Sequence, residues 1–169
     1  MTSRKNIIAY IILGFFLGSL SSCVYYPEDM VDIGQLAPPF ILPNLDGREI
    51  SLDEFKGKIV LLDFWATWCS PCRMTMPVVE KLSKEYSNDM VLLAVNLQEP
   101  KNVVEKYAYE QALISRILLD EQGTVSAAYG AKAIPMQFLI DQSGVVRHIQ
   151  TGYNSKMASQ MRAQIEQLR

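Results

Sequence analysis

Ile59-Val60-Leu61-Leu62-Asp63-Phe64-Trp65, followed after Ala66-Thr67-Trp68 by Cys69-Ser70-Pro71-Cys72, is the stretch that decides the fold. A nearly continuous apolar run of this length reads as a central strand covered on both faces. From about Pro71 to Tyr86 the pattern turns helical. Pro71 suits the first turn, where a missing N–H costs nothing, while Pro77 lies inside and is expected to kink the helix. Two cysteines therefore stand where a buried strand hands over to a helix.

Outward from this junction the elements alternate. Upstream, Phe40-Ile41-Leu42 and Glu49-Ile50-Ser51 flank the turn signal Asp46-Gly47 as an N-terminal hairpin. Leu52 to Phe55 makes one helical turn closed by Gly57. Downstream, Met90 to Leu97 is a second buried strand, Lys101 to Gln111 a helix, Ile117 to Leu119 a short strand, and Thr124 to Tyr129 a short helix stopped by Gly130. Met136 to Ile140, the Asp141 to Gly144 turn and Val145 to Gln150 form a hairpin. Met157, Met161, Ile165 and Leu168 mark one face of a closing helix over Lys156 to Leu168. The class is α/β, a mixed central sheet flanked by helices.

Composition narrows the chemistry. The 169 residues are 49% hydrophobic and 20% charged, a folded globule of one domain rather than a disordered chain or coiled coil. A net charge of −2 supplies no basic face for nucleic acid. With one histidine, His148, read as a surface residue, neither a His-rich zinc site nor a paired-imidazole base can be built.

The N-terminus reads as a targeting segment. Arg4 and Lys5 precede an uncharged stretch, Ile7 to Leu20, shorter than the roughly 20 apolar residues of a membrane span. It ends in Leu20-Ser21-Ser22-Cys23, which resembles the bacterial lipoprotein signal. Residues 1–22 are thus expected to be a signal peptide, Cys23 a lipidated N-terminus, 23–30 a tether, and 31–169 the domain. The alternative is an uncleaved anchor. Either places the domain at the extracytoplasmic (periplasmic) face of a bacterial membrane, where disulfides persist.

At a helix N-terminus, backbone N–H groups and the positive end of the dipole stabilise a thiolate, and the second thiol, about one turn on, can close a ring on the first. Cys69 is expected to be the nucleophile and Cys72 the resolving thiol of a redox-active disulfide. A structural staple gains little from so short a loop, and a zinc knuckle lacks a second pair.

Phe64-Trp65-Ala66-Thr67-Trp68-Cys69-Ser70-Pro71-Cys72-Arg73, with Pro77 beyond, resembles the thioredoxin superfamily active site. Gly34-Gln35-Leu36-Ala37-Pro38-Pro39-Phe40, Leu45-Asp46-Gly47, Ser51-Leu52 and Phe55-Lys56-Gly57-Lys58 resemble the membrane-tethered TlpA/ResA-type thiol-disulfide oxidoreductases. The resemblance implies a thioredoxin-like fold with an inserted βα element, supplied by Lys101 to Leu119. It also implies a cis proline at Pro135, with Ile134 and Trp68 meeting the substrate chain. Asp63 would correspond to the buried acid that exchanges a proton with Cys72; the alternative is a strand-end Asp reaching water. The implied partners are disulfide-bonded exported proteins and a membrane thiol transporter as electron donor. No cofactor is called for, and a monomer is expected. No His lies between the cysteines, so a reductase is favoured over an oxidant.

Two departures stand out. Where many relatives carry a Glu three residues after the second Cys, this chain has Thr75, and the usual Thr after the cis proline is Met136. With Met74 and Met76, Met136 raises an alternative Cu(I)-carrier reading, because thiolates and thioethers select that ion. A thiol peroxidase of the peroxiredoxin branch would want Pro and Thr/Ser seven and three residues before its Cys. For Cys69 those positions are Leu62 and Ala66, and for Cys72 they are Trp65 and Cys69.

Overall fold

The computed structural model describes residues 30–169. Cys23 and the residue 1–22 segment lie outside them. Among the described residues no helix is long and apolar enough to cross a membrane.

The chain opens with a two-stranded hairpin, β1 (Ile41–Pro43) and β2 (Glu49–Ser51), joined through Gly47 at φ +81°. Ser51 and Glu54 then form a reciprocal capping box on the 3₁₀ turn Leu52–Phe55, satisfying two orphan N–H groups. The rest is β3 (Ile59–Trp65), α1 (Cys72–Glu85), β4 (Met90–Leu97), α2 (Lys101–Glu110), β5 (Arg116–Asp120), α3 (Thr124–Ala128), β6 (Met136–Ile140), β7 (Val146–Thr151) and α4 (Met157–Leu168). Pro77 lies inside α1 and does not end it.

The five-stranded sheet has the order β5-β4-β3-β6-β7, with β3, β4 and β5 parallel and β6 and β7 antiparallel. All seven residues of β3, at its centre, are buried, which is why that run lacks polar alternation. Its side chains divide by parity. Ile59, Leu61 and Trp65 pack with Val79 and Leu82 of α1 and with Met157, Met161 and Ile165 of α4. Val60, Leu62 and Phe64 pack with Phe40 and Ile50 of the N-terminal part and with Tyr129 and Phe138. Segment α2–β5 adds the outer parallel strand, as expected for the inserted element. Expected and observed elements agree to within a residue or two, because the hydrophobic period and the Gly turns set their limits. One departure is His148. Lying on β7 opposite Leu139, it is half-buried rather than on the surface, and burial pushes its imidazole below the usual range.

Candidate active site

Cys69 and Cys72 are joined by a disulfide, with sulfurs 2.05 Å apart. Cys72 is the first residue of α1, and Pro71 immediately before it offers no side-chain cap. The Cys72 N–H points at Cys69 Sγ from 3.2 Å. When the disulfide opens, this donor is already placed for a thiolate on Cys69, and the helix start adds its positive end. Cys69 is 3% exposed and Cys72 2%. Their neighbours in the chain are exposed: Ser70, Pro71, Arg73, Trp68 at 66% and Met74 at 50%.

Asp63 does not reach water: it is fully buried in β3. Parity places it on the face of Leu61 and Trp65, the side where both cysteines pack. Burial raises its carboxyl from the ordinary 3.8 to about 7, against a smaller lowering by the Gln137 amide. Gln137 is its cross-strand neighbour on β6 and donates Nε2–H to Asp63 Oδ1 at 2.6 Å. Asp63 Oδ2 and Gln137 Oε1 have no partner among the described residues. A carboxyl titrating near neutrality can both take and return a proton.

The Ile134–Pro135 peptide is cis and leads into β6. Ile134 and Trp68 line one cleft of about 580 Å³, together with Leu97, Gln98, Ala127 and Lys132. Residues 66 positions apart in the chain thus share one surface.

The substituted positions behave differently from the copper reading. Thr75 is buried and donates Oγ1–H to Cys72 O at 3.0 Å, so at this position a hydroxyl closes a helix carbonyl. Met76 packs on the cysteine side of the sheet, Met136 on the other side, and Met74 is half exposed. The three thioethers do not gather around the thiols, because β3 separates Met76 from Met136. Leu62 and Ala66, at the positions a peroxidase would give to Pro and Thr/Ser, are both buried apolar residues.

Two site residues escape sequence reading. Gln137 carried a faint signal as a polar residue in an apolar strand. Glu99 carried none. It is buried, and its carboxylate accepts from Thr67 N at 2.7 Å, from Thr67 Oγ1 and from Asn96 Nδ2 at 2.8 Å.

The AhpC/TSA family profile matches residues 33–149, which include the whole dithiol junction and the cis proline. The chain belongs to the AhpC/TSA family. Among AhpC/TSA-type relatives it is 40% identical over 158 residues to the thiol-disulfide oxidoreductase ResA of Geobacillus thermodenitrificans, covering 90% of this chain and 91% of that protein. A Chlorobium tepidum structure described as a thiol:disulfide interchange protein DsbE superposes with a TM-score of 0.77 at 31% identity, covering 82% of this chain and 98% of that one. The pneumococcal exposed lipoprotein thioredoxin of Streptococcus pneumoniae strain TIGR4 gives 0.65 at 29% identity, covering 78% and 100%. The fold is thioredoxin-like, and the cysteine pair places this AhpC/TSA member with the thiol-disulfide oxidoreductases.

Proposed function

We propose that this thiol-disulfide oxidoreductase works in the reducing direction on disulfides of exported proteins, with Cys69 as nucleophile and Cys72 as resolving thiol. The observation that carries the assignment is the Cys72 N–H aimed at Cys69 Sγ at the first turn of α1. It favours negative charge on Cys69. The Cys69 thiolate attacks one sulfur of a substrate disulfide, and the other sulfur leaves as a thiolate that takes a proton. Asp63, ionised, accepts the Cys72 proton, and the new thiolate attacks Cys69 Sγ. The substrate departs with its second thiol, and the Cys69–Cys72 disulfide forms. Two electrons have passed from protein to substrate.

Trp68, Ile134 and Pro135 form the docking surface. Support comes from the exposed indole and from the cleft that Trp68 shares with Ile134. The oxidised protein then needs electrons, for which a membrane thiol transporter is the fitting donor. Residues 23–30 tether the 31–169 domain, a monomer, to a lipid on Cys23 after removal of residues 1–22. Leu20-Ser21-Ser22-Cys23 and the kinship with an exposed lipoprotein thioredoxin support this placement.

Trapping on Cys72→Ser tests the roles. Attack by Cys69 should accumulate a mixed disulfide with an exported protein, released by dithiothreitol, and Cys69→Ser should capture none. Failure of Cys69 to alkylate after mild reduction would sink the assignment.

A further inference from the structure

The turn that carries the nucleophile is held from outside its own strand and helix. Ala66-Thr67-Trp68 bridges β3 and Cys69, and Thr67 is gripped on both sides. Its N–H and hydroxyl donate to the two oxygens of Glu99, while its carbonyl lies 3.4 Å from an Arg73 guanidinium nitrogen. Glu99 is beyond the end of β4, and reaching Thr67 requires a backbone that turns inward. The residue before it, Gln98, supplies this at φ +52°, a left-handed conformation uncommon for a side chain of this type. Gln98 is kept there from two directions. Its N–H bonds Asp120 O at 3.0 Å, and its amide lies so close over Gly123 that a Cβ at Gly123 would meet Nε2 at 2.7 Å.

The donors are as informative as the geometry. Glu99 Oε2 accepts from Thr67 N and Asn96 Nδ2 and Oε1 pairs with the Thr67 hydroxyl, so each oxygen of a carboxylate here has a donor within reach. The anion is buried, so it is screened less by solvent than a surface charge. Thr67 precedes Cys69 by two residues, which puts the charge on the order of 10 Å from the sulfur.

We propose that Glu99 is a positioning residue of the dithiol centre: it locks the turn presenting Trp68 and Cys69, and its fixed negative charge makes Cys69 a weaker acid than the helix start alone would. The proposal rests on the dithiol reading above. Other charged groups face the same centre. Arg73 at the rim and Lys132 in the cleft favour the thiolate, and Asp63, when ionised, opposes it. Glu99 differs from Asp63 in its partners: Thr67 and Asn96 hold its two oxygens, whereas the one side-chain bond to Asp63 comes from Gln137.

At such a separation and an effective dielectric near 20, one charge moves a thiol by about one pH unit. Glu99→Gln preserves shape and can still accept from Thr67 N–H. In the reduced protein, the pH midpoint of Cys69 alkylation by iodoacetamide should fall by about one unit. The exchange equilibrium with glutathione should also shift toward the disulfide-donating direction by up to about tenfold. Glu99→Asp, which keeps the charge, should lie nearer the wild-type midpoint. In the unmutated reduced protein, the Glu99 carboxyl carbon resonance should step at the pH where Cys69 loses its proton, which keeps the test independent of whether a variant folds. A folded Glu99→Gln protein with an unchanged midpoint, or no step at the carboxyl carbon, overturns the proposal. If unmutated Cys69 does not alkylate at any pH, it is the dithiol reading that has failed.

Discussion

Replacing Asp63 by Asn removes a buried charge while keeping the shape of the side chain, and the consequence should depend strongly on pH. In the unfolded chain this carboxyl has its ordinary value of 3.8, and in the fold burial holds it at about 7 despite the Gln137 bond. Between these values the folded protein binds the extra proton, so stability falls as pH rises from about 4 to about 7. The whole interval corresponds to roughly 4 kcal/mol for a fully buried group, as an upper figure. Asp63→Asn does not ionise, so near pH 4 it should differ little from wild type. By pH 8 it should be more stable by about 2–4 kcal/mol, the lower figure allowing for reorientation of the Gln137 amide. Urea unfolding at both pH values reads the difference directly. The same variant should resolve mixed disulfides more slowly and lose the rate step near pH 7 that Asp63 imposes, measured by rapid-quench trapping. A wild-type-to-variant stability difference identical at pH 4 and pH 8 would refute the buried ionisable Asp63 and, with it, the proton exchange assigned to it.

Asp141, at the β6–β7 turn, should behave oppositely. Burial works to raise its carboxyl, but bonds from Ser143, Val145 and Arg147 outweigh this and hold it at about 2. The stability it contributes is present above the ordinary 3.8 and lost as pH falls toward 2. Asp141→Asn should cost about 1–3 kcal/mol at pH 7 and much less near pH 2 by denaturant unfolding. Trp68→Ala should leave unfolding within about 0.5 kcal/mol of wild type, as for an exposed side chain, yet slow reduction of protein disulfides several-fold. Equal loss of stability and rate would instead make Trp68 a packing residue.

The order and type of elements were legible in the sequence because the cues are local. β3 announced itself by a run of apolar residues, the hairpins by Asp46-Gly47 and Asp141 to Gly144, and α4 by its spaced Met157, Met161 and Ile165. The Cys69-Ser70-Pro71-Cys72 junction was legible for the same reason: strand end, helix start and thiol spacing are all properties of neighbouring residues. Tertiary structure decided what depends on approach across the sheet. It closed Asp63 from water and gave it Gln137 as a partner, because antiparallel register sets residue 63 against residue 137. It divided Met76 from Met136 by putting β3 between them, which no spacing along the chain could state. It also made Glu99 an anchor of the active-site turn, since a loop carboxylate and a loop hydroxyl meet only after β3 and β4 have paired. Local period specifies which elements form, whereas burial and long-range hydrogen bonding, the terms that tune thiol and carboxyl chemistry, exist only once those elements are packed.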